Sequence, residues 1–161
     1  MARLEHDRED LLAEATALVE RMELRVPHET EPVVLGLRRD GCLSIYFGAD
    51  PALHFNASHQ LRRAYCGGEL LKAERGQLVG LHRQRTTSEL QLVRHERDAD
   101  AQSQLLASWQ TRVELLQATL NRGEVQVMRH VPAELPALDR ARQWLSFIPS
   151  PWQVAATPHA R

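Results

Sequence analysis

The chain has 161 residues, of which 43% are hydrophobic and 25% charged, with a formal net charge of −1. Such a length supports one domain, which buries roughly 70% of its unfolded surface without metal or disulfide staples. Near-neutrality excludes a whole-molecule attraction to nucleic acid or to an anionic membrane.

Charge is nonetheless uneven along the chain. Residues 1–32 carry four Arg against nine acidic groups, whereas residues 33–98 carry ten basic and seven acidic groups. Nineteen of the twenty basic residues are Arg, with Lys72 alone. Arginine can grip carboxylates and phosphates bidentately, although a genome rich in G and C supplies the same bias without function. Cys42 and Cys66 make no disulfide framework, and each falls in or beside an expected strand, as small buried hydrophobes do. The N-terminus lacks the apolar stretch of a signal peptide, and no run reaches the roughly 20 apolar residues of a membrane span. A cytoplasmic location without membrane contact is therefore expected, and the Asn56-Ala57-Ser58 sequon is not expected to be glycosylated.

In chain order, the first expected element is a helix over 7–25. Asp7 can cap it, and Leu11, Ala15, Leu18 and Met22 recur at helical spacing, widened by Leu12 and Val19. Pro27 and Pro32 end it. An antiparallel β-meander of six or seven strands is expected over 33–96. Seven of the eight glycines lie between Gly36 and Gly80, and they punctuate short alternating runs: 33–37, 43–47, 53–55, 61–66, 70–73, 78–81 and 89–95. Asp40-Gly41 is a hairpin signal. Such spacing suits an open sheet or a partly closed barrel.

A long helix is expected over 100–121, with Leu105, Trp109, Val113, Leu116 and Leu120 on one stripe and Gly123 as its C-cap. A short strand over 124–131 and a helix over 138–147 follow. The fold class is thus α+β, with a domain over 1–148, the long helix packed on the sheet, and a Pro-rich tail over 149–161.

The candidate site is basic. Arg38, Arg39, Arg62, Arg63, Lys72, Arg83 and Arg85, with Arg75 nearby, are placed to line a sheet face. Tyr46 and Tyr65 would offer rings for stacking, as in single-stranded nucleic-acid binding. Aromatic residues are only 5% of the chain, and solvated outer-face arginines explain the same pattern. The expectation is a non-enzymatic binding or adaptor module for an anionic partner, either nucleic acid or an acidic protein, with no catalytic residues, metal or cofactor. One alternative is a small metal-dependent hydrolase or nuclease using Asp50, Glu69 or a histidine. Its Glu69-x-x-Lys72 spacing puts the two side chains on opposite faces of a regular strand, and neither His54, His59, His82 nor His95 shows zinc spacing. Another is a subunit of a homo- or hetero-oligomer, joined through a strand edge or the Trp109 helix. Gly67-Gly68 and Gly76 match no phosphate-binding loop.

Overall fold

The computed structural model describes residues 18–48, 50–85, 90–96, 99–131 and 136–156. The fold is α+β. The strands are β1 (Leu18–Arg25), β2 (Val33–Arg38), β3 (Leu43–Phe47), β4 (Ala52–Phe55), β5 (Leu61–Cys66), β6 (Glu69–Glu74), β7 (Gln77–Arg85), β8 (Leu90–Glu96) and β9 (Gln126–Val131). Helix α1 (Ala99–Asn121) lies between β8 and β9, and α2 (Ala137–Ser146) follows β9. One antiparallel sheet runs in the order β8-β7-β6-β5-β4-β3-β2-β1-β9. Eight consecutive strands form a meander, and β9 returns after α1 to pair with β1.

The strand boundaries follow the turn residues. At the β2–β3 hairpin, Gly41 takes φ 90°, and Asp40 Oδ1 accepts the Cys42 N–H at 3.1 Å, the usual way an aspartate closes a turn. Alternation then sorts the side chains. Leu43, Ile45 and Phe47 enter the core with Met22, Leu24, Val33, Leu35, Leu53 and Phe55. Against that face α1 buries Trp109, Val113, Leu116 and Leu120, and α2 buries Ala141, Trp144 and Leu145.

The helices are tied by their ends. Past α1, Gly123 N–H donates to the Leu120 carbonyl at 3.0 Å and Glu124 N–H to that of Thr119 at 3.1 Å. This is a Schellman closure, with Gly123 at φ 70°. The Arg142 guanidinium of α2 donates twice to the Leu120 carbonyl, at 2.8 and 3.0 Å, so one helix finishes the hydrogen bonding of the other.

Two expectations are corrected. The helix over 7–25 is not formed over 18–25, where the chain is strand β1; its earlier part lies outside the described residues. Met22, Leu24 and Val26 are buried while Val19, Arg21 and Arg25 are exposed, a period of two hidden among residues that also fit a helical stripe. Two neighbouring strands supply the partners that a lone helix would lack. The expected meander of six or seven strands has seven within 33–96 and is extended to eight by β1, which with the separately expected β9 gives a sheet of nine. The long helix, Gly123 as its cap, the strand near 124–131 and the helix near 138–147 stand as expected, within one or two residues.

The segment 149–156 has little regular structure but is bound to the sheet. Leu61 N–H donates to the Gln153 carbonyl at 2.7 Å, Ala155 N–H to that of Leu61 at 2.8 Å, and Gly76 N–H to that of Ala155 at 3.1 Å. Trp152 meets Phe55 edge to face, with centroids 5.1 Å apart.

Candidate functional site

The register assembles part of the basic constellation. Ser44 lies opposite His54, His54 opposite Arg63, and Arg63 opposite Lys72. One row thus crosses β3 to β6 on the face away from the helices. A second row sets Tyr46 opposite Ala52, Ala52 opposite Tyr65, and Tyr65 opposite Leu70. Two of the basic groups are not at the surface, since Arg62 is 3% and Arg63 2% exposed. Lys72, Tyr46 and Tyr65 are half-buried. Arg39 is exposed in its turn, while Arg38 pairs with Asp40 at 3.2 Å. Arg83 and Arg85 stand opposite Leu92 and Leu90, and their side chains lie outside the described residues.

Ser44 Oγ and His54 Nδ1 are 3.0 Å apart, with Tyr46 edge-on to the imidazole at 5.6 Å. The spacing is that of a nucleophile and its base, but both residues are buried, out of reach of a substrate carbonyl. Burial pushes the Cys42 thiol up, with the Asp40 carboxylate adding to it against the opposing charges of Arg62 and Arg38; a raised thiol is a poor nucleophile. Asp50 and Glu69 do not converge on a metal geometry. Asp50 Oδ2 accepts the Gly67 N–H at 2.8 Å, and Glu69 opens β6 opposite Cys66. Among the described residues no three His, Cys, Asp or Glu side chains are grouped to hold a metal ion.

The structure also assembles charge clusters that the sequence pattern did not single out. Glu20 of β1 is buried and accepts from Arg140 Nη2 of α2 at 2.7 Å and from His130 Nε2 of β9 at 2.7 Å. Burial alone would push its carboxyl up; the hydrogen bonds and charges of Arg140 and His130 outweigh that and hold it below the ordinary value. Arg112 of α1 grips Glu29 through Nε at 3.0 Å and Nη2 at 2.6 Å, with its guanidinium 4.5 Å from the Phe47 ring centroid. The signal available in the sequence was the surplus of acid before residue 32, which meets arginines from both helices.

The remaining feature is the end of the sheet. Among the described residues β9 pairs with β1 alone, and alternate residues of such a strand direct N–H and C=O groups outward. Met128 is 43% and Val131 51% exposed. Arg21, Arg25 and Arg129 are exposed beside them, with Glu23 partnering Arg21 at 3.4 Å. The register shifts between Glu23 and Leu24, leaving Met128 as the bulged residue of β9. No helix among the described residues is long and apolar enough to cross a membrane.

Compared with known proteins, the chain matches no family model, no curated protein and no solved structure.

Proposed function

We propose that the chain is a non-enzymatic binding module whose partner is an acidic, extended segment of another protein, added to the sheet as a further strand along β9. The observation that carries this reading is β9, which among the described residues is an exposed strand at one end of the sheet, bordered by Arg25 and Arg129. Main-chain hydrogen bonds would supply affinity in such a mode, and flanking side chains the selectivity. The bulge at Met128 and the arginines work against pairing with a second copy, because each copy brings the same positive charge. An acidic strand meets opposite charge there instead. Nucleic acid bound through Arg62 and Arg63 has less support, since neither guanidinium is at the surface.

Fluorescence anisotropy with a labelled Glu-Val-Glu-Val-Glu-Val peptide tests the reading. Saturable binding is expected, weakened by added salt and reduced at least about tenfold by Arg25→Glu combined with Arg129→Glu. The same peptide N-methylated at alternate residues, which keeps its charge but loses main-chain donors, is expected not to bind. Equal binding of the methylated peptide would overturn strand addition, and indifference to the charge reversal would overturn the acidic partner. Light scattering that finds a stable dimer occluding β9 would replace the reading with self-assembly.

A further inference from the structure

A cleft of about 310 Å3 opens where the β2–β3 hairpin, the Asn56–Gln60 turn and helix α2 meet. Leu37, Leu43, Trp144 and Phe147 form its apolar lining, and Asp40, His59 and Arg140 reach it from the rim. No residue of β9 lines it.

Each wall is fixed independently. Arg140 is clamped to Glu20 through Nε and Nη2 and lies over Trp144, 5.5 Å from the ring centroid. The turn opposite is built around Asn56. Its Oδ1 accepts the Ser58 N–H at 3.0 Å and the Gln60 N–H at 2.9 Å, and its carbonyl accepts the His59 N–H at 2.9 Å. That turn holds His59 at φ 65°, a left-handed conformation uncommon outside glycine but enriched for histidine. The imidazole is thereby set against Phe147, with centroids 5.1 Å apart and planes inclined by 41°. Phe147 itself is 48% exposed, so an aromatic face is displayed at the mouth.

The two charged residues that line the cleft are each paired, Arg140 with Glu20 and Asp40 with Arg38. The Asp40 carboxyl is raised by burial, but the Cys42 hydrogen bonds and the charges of Arg38 and Arg62 more than reverse this. It is therefore a carboxylate at neutral pH, an acceptor without a proton to donate. Its Oδ1 is engaged by Cys42 N–H and its Oδ2 by Arg38, and each oxygen has further lone-pair capacity.

From this arrangement we infer that the cleft binds a neutral aromatic heterocycle carrying an N–H donor. The ring lies against Phe147 and Trp144, and the N–H points to Asp40. Balanced charge favours a neutral ligand over an ion. The aromatic lining favours a flat ring, whose stacking adds to the burial of apolar surface. The acceptor-only carboxylate selects a ligand that donates.

Indole is a suitable probe, and benzofuran is its counterpart of similar shape without the N–H. NMR titration is expected to give saturable shifts at the Trp144 indole N–H and at the His59 and Phe147 amides, with Trp109, buried in the core, unmoved. Benzofuran is expected to bind several-fold more weakly. In Asp40→Asn the side-chain oxygen can still serve Cys42 while the amide presents a donor, so indole should fall to the benzofuran level. Ala57→Trp fills the cleft from an exposed turn position and should abolish both, and Phe147→Ala should weaken both equally. Absence of saturable shifts, equal affinity of the two probes for the unaltered protein, or undiminished binding by Ala57→Trp would each overturn the inference.

Discussion

Glu20 is 7% exposed and accepts hydrogen bonds from two partners on different elements, Arg140 of α2 and His130 of β9. Removing one member of a buried ionic cluster leaves the rest desolvated without compensation. Glu20→Ala is therefore expected to lower stability by about 3 kcal/mol in urea unfolding. The depressed carboxyl also sets a pH dependence. A carboxyl lowered in the folded state stabilises above its unfolded value, and that contribution is lost as pH falls through the folded one. Thermal melts of the unaltered protein should decline as pH drops below the ordinary value of 4.5, and Glu20→Gln should flatten that decline. An unchanged acid slope would assign the effect to other carboxylates. At Gly48 the backbone takes φ 62°, and an added Cβ would collide with the Glu31 carboxylate. Gly48→Ala should thus cost about 1–2 kcal/mol, from backbone strain and displacement of Glu31.

At the scale of elements, α1 stabilises the fold through one stripe rather than through its own propensity. Leu116 and Leu120 are fully buried against the sheet, and Leu116→Ala should cost about 2–5 kcal/mol through lost burial and the cavity left behind. The segment 149–156 acts as a strap, because it hydrogen-bonds Leu61 and Gly76 and seats Trp152 on Phe55. Ending the chain before Pro149 should lower the melting temperature and expose Phe55, measurable as increased binding of a hydrophobic dye. If neither changes, the strap carries no stability. The strands β2 to β8 and the helix α1 were legible because turn residues and period-two or period-3.6 runs marked them locally. β1 was not, because Leu18-Val19-Glu20-Arg21-Met22-Glu23-Leu24-Arg25 satisfies both periods. Its pairing with β2 and β9 decided between them, and those partners lie up to about a hundred positions away in sequence.

For the molecule as a whole, the sheet has an interior and two terminal strands, β8 and β9. β3 to β5 are flanked by strands on both sides and by helices on the core face, whereas among the described residues β9 has one neighbour and carries exposed side chains. Amide hydrogen exchange should accordingly be slowest in β3–β5 and fastest along β9. Protection of β9 appearing only with the acidic peptide would locate its binding there, while protection equal to that of the central strands in the free protein would argue against an open edge. The fold divides the arginines among different surroundings. Arg62 and Arg63 are taken into the interior, and Arg140 and Arg112 neutralise Glu20 and Glu29. Arg25 of β1 and Arg129 of β9, far apart in sequence, are brought beside the edge strand, where Arg21 is paired with Glu23.

Chain order, turn positions and the amphipathic stripe of α1 are local properties, carried by residues a few positions apart. Those the amino-acid sequence determined unaided. Whether an arginine faces water or the interior, which acid it neutralises, and which strand is left at the border depend on residues brought together from distant positions. Burial and pairing are properties of the assembled core, so the tertiary structure alone decided them.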